Sequence, residues 1–134
     1  MIRAAFAASF FALALAACGR GGSAAALEAT LDAPVQLAPG QSAVVANEKV
    51  EVQFTGIASD SRCPSNVTCV WVGEVVVQLA VRSDGKRTQH EIKDMQSARV
   101  DGHRVTVLQV LPPRASSEER IAPADYRVTL KIAR

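Results

Sequence analysis

The chain has little net charge and few aromatic, cysteine or histidine residues. Its 134 residues carry a formal charge of +2, and only 4% of them are aromatic. So small and evenly mixed a charge excludes the basic surface that nucleic-acid binding requires. The length suits one domain and excludes a TIM barrel or a two-domain enzyme. No motif indicates a cofactor.

The one long apolar run lies at the N-terminus and is too short to span a bilayer. It covers the 14 residues of Ala4–Ala17, interrupted only by Ser9, and follows a start that carries Arg3. A transmembrane helix needs about 20 apolar residues. A basic start and an apolar run of this length are typical of a signal peptide, which we predict for residues 1–17. The alternative, a buried helix, would need an amphipathic face that the run lacks.

The run ends in Leu15-Ala16-Ala17-Cys18-Gly19 and resembles the bacterial lipobox, in which an aliphatic and two small residues precede a cysteine. The resemblance implies that Cys18 is acylated and becomes the mature N-terminus, and several acyl chains anchor stably. Gly19, where an aspartate would retain the protein in the inner membrane, implies the outer membrane, facing the periplasm. The alternative is cleavage at an Ala-x-Ala site, with Cys18 incidental. Residues 18–32 are expected to form a flexible tether.

Beyond residue 34, valine is abundant and apolar residues alternate with polar ones. All 17 valines lie here, and Val50, Val52 and Phe54 show the clearest alternation. Alternation is typical of strands with one buried face. We predict a single antiparallel β-sandwich over residues 33–134, with an open β-barrel as the alternative. About seven strands are expected, at residues 35–37, 42–46, 50–55, 69–82, 88–93, 104–111 and 125–133.

Several short-range signals refine this prediction. Asp84-Gly85 predicts a tight hairpin turn, and Asp101-Gly102 suggests another. The alternation slips near Leu108, which predicts a bulge. Gly73 lies inside the longest predicted strand and indicates either a bulge or a close approach of two backbones.

Two cysteines remain if Cys18 is acylated. Cys63 and Cys69 have five residues between them, and a disulfide is the default in an oxidising compartment. A redox role is the alternative, although the usual Cys-x-x-Cys at a helix start is absent. No second pair of ligands completes a zinc site. Within the predicted strand Cys69 and Trp71 share a face, so the indole is expected on or beside the disulfide.

The segments Asp60-Ser61-Arg62-Cys63-Pro64 and Cys69-Val70-Trp71-Val72-Gly73 resemble a group of small bacterial secreted proteins and lipoproteins. That group shares a D-S-R-C-P…C-x-W-x-G pattern, and residues 107–113 and 125–130 are also similar to it. Pro113 departs from the aromatic residue expected there. The resemblance covers about residues 40–132. It implies a class of protein and carries over no activity.

The loop around these motifs allows two interpretations. Ser61 could be a nucleophile with His103 as its base, but a Gly-x-Ser-x-Gly elbow is absent. Alternatively, Asp60 and Ser61 bond to loop backbone while Arg62 pairs with Asp60 or a carbonyl. The second interpretation leaves a polar, disulfide-held loop suited to recognition. The candidate recognition residues are Asp60, Ser61, Arg62, Pro64 and Trp71. The aspartates lack calcium-loop spacing, so no metal site is predicted.

These observations favour a lipid-anchored periplasmic β-sandwich that acts as a binding or interaction module. Its expected partners are the membrane, through the N-terminal lipid, and an envelope protein or a small ligand. An envelope structural or assembly lipoprotein is one alternative, and an inhibitor that presents the disulfide-held loop is another. A small hydrolase or redox enzyme is the least favoured reading, because the sequence shows no nucleophile paired with a base.

Overall fold

The computed structural model describes residues 25–134 and contains two β-sheets packed face to face. One sheet has the strand order β1-β3-β4-β5-β6 and the other β2-β9-β8-β7. They enclose one apolar core and are not closed into a barrel, which confirms the all-β sandwich. The strands are β1 (Leu27–Glu28), β2 (Pro34–Leu37), β3 (Ser42–Val45), β4 (Val50–Asp60), β5 (Val75–Ser83), β6 (Lys86–Lys93), β7 (Ser97–Val100), β8 (His103–Leu111) and β9 (Arg127–Ala133).

Alternation along the strands explains the core. In β4 the side chains of Val50, Val52 and Phe54 are buried, while their polar neighbours are partly exposed. The same two-residue period buries Val128 and Leu130 in β9. Residues 25–134 contain nine strands instead of about seven, because β1 and β7 escaped prediction. Both are short, with two and four residues, and only one residue of the two strands is buried, which leaves little pattern to detect.

The predicted strand at residues 69–82 was wrong at its start. β5 begins at Val75, and β4 continues to Asp60, so the loop between them covers residues 61–74. The cause is a tertiary contact at Gly73, whose backbone lies against that of Ser61. A Cβ atom on Gly73 would stand 1.6 Å from the Ser61 carbonyl oxygen. Apolar residues at 69–72 mimic a strand, but the chain here crosses the end of the sheet.

The predicted turns and bulge are confirmed. Asp84-Gly85 joins β5 to β6, and both residues have positive φ angles, 47° and 79°. Asp101-Gly102 joins β7 to β8 with φ angles of 47° and 82°. Aspartate and glycine tolerate this left-handed backbone, which two-residue hairpins with the usual strand twist require. The register between β8 and β9 shifts between Val107 and Gln109, where the alternation slips.

Part of the segment assigned to the tether is packed on the sandwich. Leu27–Glu28 pair in parallel with Ala43 and Val44 of β3, and the Ala29 N–H donates to the Val44 carbonyl at 2.8 Å. Leu31 packs against the core. The predicted signal peptide, residues 1–17, and the predicted acylation site, Cys18, lie outside the described residues. Among the described residues, no helix has the length and apolar character to cross a membrane.

The strand directions define two ends of the sandwich. At the loop end, β4, β6 and β8 finish and β5 and β9 begin, so this end carries residues 61–74, 94–96 and 112–126. At the hairpin end lie the Asp84-Gly85 and Asp101-Gly102 turns and the 3₁₀ helix Ala46–Glu48. The recognition residues suggested by the sequence all belong to the loop end.

Candidate functional site at the loop end

Asp60 and Arg62 form an ion pair where β4 leads into the loop. The Arg62 guanidinium donates from one terminal nitrogen to Asp60 Oδ2 at 2.6 Å and from Nε to Oδ1 at 2.8 Å. The Arg62 backbone N–H also donates to Oδ1, at 3.2 Å. The Arg62 and Asp60 side chains are only 16% and 10% exposed. The pair is therefore a bidentate, largely buried contact, the strongest geometry that this pair of groups can adopt.

Arg62 also joins the two sheets. Its guanidinium donates to the backbone carbonyl of Val110 at 2.9 Å and to that of Pro112 at 3.0 Å, at the end of β8. Four of its five N–H donors thus have partners within the fold. The sequence offered Arg62 as a recognition residue. In the structure its donors are occupied in holding the end of β4 against the end of β8.

Tyr126 completes the pairing of Asp60. The Tyr126 hydroxyl donates to Asp60 Oδ2 at 2.9 Å. Burial disfavours the charged carboxylate, but hydrogen bonds from Arg62 and Tyr126 outweigh burial and hold the pKa of Asp60 below its usual value. Burial and the bond to Asp60 raise the pKa of Tyr126. Asp60 is therefore ionised at neutral pH and fully paired, a state suited to holding structure and not to accepting a proton from a substrate.

Ser61 joins the first residue of the loop to its last residue, Glu74, by hydrogen bonds. Its hydroxyl donates to the Glu74 carbonyl at 3.1 Å and accepts the Glu74 backbone N–H at 3.1 Å. Its own backbone N–H donates to the same carbonyl at 2.8 Å. The proposed base, His103, lies at the hairpin end and contacts Glu48. The structure therefore does not bring the suggested nucleophile and base together.

The loop continues through residues 63–72, which we call the contact loop. A disulfide and bonds to a neighbouring loop hold it in place. Cys63 and Cys69 are bonded, as predicted, with their Cα atoms 5.9 Å apart. Pro64 is buried. The Ser65 backbone N–H donates to the Arg114 carbonyl at 3.1 Å, and the Ser65 hydroxyl to the Ala115 carbonyl at 3.1 Å. The start of the contact loop is thus tied to the segment that follows β8.

The last three residues of the contact loop, 70–72, which we call its tip, present three consecutive apolar side chains to solvent. Val70, Trp71 and Val72 are 93%, 78% and 95% exposed. The expectation that the Trp71 indole packs on the disulfide depended on a strand at this position, and no strand forms there. Val67, in the same loop, is also exposed, as is Met95 in the neighbouring turn. Clustered exposed apolar side chains on a folded domain typically mark an interaction surface.

A second polar cluster, at the hairpin end, was not found by sequence reasoning. His103 contacts Glu48 Oε2 through Nε2 at 3.1 Å and the Asp101 carbonyl through Nδ1 at 3.2 Å. Arg134 donates to both oxygens of Glu48, at 2.6 and 3.1 Å. Hydrogen bonds from Arg134 and His103 lower the pKa of Glu48. Residues so distant in sequence leave no local signal, and only the fold joins them.

Comparisons with known proteins add no relative from which a role could be inferred. No family model, curated protein or solved structure matches the chain. Within residues 25–134, no group of three or more His, Cys, Asp or Glu side chains is placed to hold a metal ion. The fold and the site together define a β-sandwich that displays an apolar loop from a braced end. The resemblance to small secreted proteins stays a prediction.

Proposed function

We propose that the protein is a lipid-anchored, non-enzymatic module of the bacterial cell envelope that acts by contact through residues 63–72. The observation that carries this proposal is the exposure of Val70, Trp71 and Val72 at the tip of a loop with a fixed base. A loop braced in advance has less conformational entropy to lose on binding, so its apolar side chains contribute more to affinity.

The polar residues at the base of the loop support a contact role over catalysis. Asp60 and Arg62 are bonded to each other, Asp60 also to Tyr126, and Arg62 also to two carbonyls at the end of β8. Ser61 is bonded in both directions to Glu74. We therefore assign Asp60, Ser61, Arg62 and Pro64 to support of the loop, and the contact itself to its tip.

The anchoring part of the proposal rests on the lipobox-like sequence at Cys18. Acylation there would place the protein on the outer membrane, facing the periplasm. Cells that express the full chain and are fed an alkyne-bearing fatty acid are expected to label it, and C18S should abolish the label. Labelling that persists in C18S, or that never occurs, would contradict the lipid anchor.

The contact part is tested with a photoreactive amino acid at position 71 in living cells. Illumination is expected to give a covalent adduct from position 71, whether with lipid or with protein. The control position is Lys86, which is exposed at the hairpin end, and it is expected to give none. Adducts at neither position would contradict a contact loop and favour a structural lipoprotein. A captured protease would favour the inhibitor alternative.

A further inference from the structure

The exposed apolar side chains are concentrated at one end of the sandwich. Of the six large apolar residues that stand exposed in the described chain, Val67, Val70, Trp71, Val72 and Met95 lie at the loop end, and Leu27 alone does not. Both ends carry exposed charged residues, among them Asp84 and Lys86 at the hairpin end and Glu118 and Arg120 at the loop end. What distinguishes the loop end within the described residues is its large exposed apolar side chains, and a domain that rests on a lipid surface requires such side chains where it touches the lipid.

The first strand fixes the direction in which the chain enters the domain. β4 runs toward the loop end, and β3 is antiparallel to it, so β3 runs away from the loop end. β1 is parallel to β3 and runs in the same direction. The chain that precedes Leu27 is therefore directed toward the loop end. Cys18 lies nine residues before Leu27.

The length of that segment allows Cys18 to reach the level of the loop end. Leu27 is level with Ala43 and, across β3, with Val52. The register of β4 on β5 then places Asp60 six residues of β5 further on, from Val81 to Val75, which is about 20 Å. Nine extended residues span at most about 32 Å. An acylated Cys18 and the contact loop can thus meet one membrane surface.

We infer that the occupant of the contact loop is the lipid bilayer that holds Cys18, with Val70, Trp71 and Val72 inserted at its interface. Tryptophan is enriched at the membrane–water boundary, and apolar contact there adds to the hold of a lipid chain. Residues 63–73 carry no charge, so no charged group has to enter the interface. The loop end beside them carries both signs, as in the Lys93–Glu74 ion pair, and neutral lipid suffices. This inference rests on the proposed lipid anchor.

The chain provides its own probe for the test. Trp71 is its only tryptophan, so tryptophan emission reports on the contact loop alone. The full chain, acylated in cells and extracted, is reconstituted into phosphatidylcholine vesicles with brominated or ordinary acyl chains. Bromine is expected to reduce Trp71 emission at least about twofold, and iodide in the buffer to have little effect.

Two variants sharpen the measurement. In W71F/K86W the single tryptophan is moved to the hairpin end, where bromine should have no effect and iodide should quench. V70S/V72S keeps Trp71 but loses its apolar neighbours, and bromine quenching should fall at least about twofold because less apolar area is inserted.

The outcomes separate the inference from the proposal beneath it. A protein without acyl chains by mass spectrometry overturns the lipid anchor, and this inference with it. An acylated, vesicle-bound protein whose Trp71 is quenched by iodide and not by bromine overturns the inference alone. If bromine quenches the tryptophan of W71F/K86W, the hairpin end also enters the lipid, and the proposed orientation of the domain on the membrane is overturned. A discrete protein captured from position 71, with no lipid adduct, would assign the loop to a protein partner instead.

Discussion

Arg62 shows how one side chain can determine the shape of a loop. Its guanidinium binds the Asp60 carboxylate two residues before it and two carbonyls about fifty residues after it, those of Val110 and Pro112. The local half of this arrangement follows from turn chemistry. The distant half depends on the packing of one sheet on the other, which no local pattern reports.

We predict that R62A destabilises the domain by about 3 kcal/mol, because it leaves the Asp60 carboxylate without its main partner in a largely buried position. Urea unfolding followed by circular dichroism measures the loss. R62K should recover only part of it, since an ammonium group cannot reproduce the bidentate fork. Y126F is the milder comparison and should cost about 1 kcal/mol for one hydrogen bond. If R62A lowered the unfolding free energy by less than Y126F does, the contacts of Arg62 would not be what stabilises this end of the domain.

Gly73 allows a second test of the loop at the scale of a single atom. The added methyl group of G73A would meet the Ser61 carbonyl at 1.6 Å, a backbone contact that cannot be relieved by a rotamer change. We expect a loss of about 2 to 3 kcal/mol in unfolding free energy. G40A is the control, since its Cβ would meet nothing within 4 Å and only its φ of +85° is unfavourable. Equal effects of both variants would argue against the close approach.

At the scale of elements, local pattern predicts the strands in which buried and exposed residues alternate over several residues. The core-facing alternation of β4 and β9 and the two Asp-Gly hairpins were found because pleat and turn are encoded within a few residues. The start of β5 was missed, because a disulfide and the approach of Gly73 to Ser61 hold an alternating segment out of the sheet. The sequence therefore predicted the disulfide of the contact loop correctly, but it placed the apolar residues 70–72 in a strand.

Removal of the disulfide tests whether the contact loop is a stable element. C63S/C69S is expected to lower the unfolding free energy by about 2 kcal/mol, the chain-entropy value for so small a loop. Reduced wild-type protein should unfold at the same urea concentration as the double variant. An unchanged midpoint in both would mean that the hydrogen bonds at Ser65 and Arg62 alone fix the loop.

At the scale of the whole molecule, the two ends of the sandwich share a dependence on ionised carboxylates. Asp60 at the loop end and Glu48 at the hairpin end both have lowered pKa values. A group whose pKa is lower in the folded state stabilises that state above its unfolded pKa. The stabilisation is lost as the pH falls through the folded value.

We therefore expect stability to be constant near neutral pH and to fall below about pH 4.5, where unfolded Glu and Asp side chains begin to bind protons. Chemical unfolding at a series of pH values measures this dependence. E48Q and D60N should each be less stable than wild type at neutral pH. Each should also lose less stability as the pH falls below about 4.5. If both variants lost as much stability at acid pH as wild type, other carboxylates would be responsible for the acid dependence.

The two-residue strand β1 has a mechanical consequence. If Cys18 is held in a membrane, any pull on the domain enters through β1, whose bonds to β3 involve only Leu27, Glu28 and the N–H of Ala29. β1 is then the first element to detach under tension. Its release would uncover the edge of β3, a row of free backbone groups that another strand could occupy. The strand through which such a pull would enter is thus also the shortest strand in the described part of the chain.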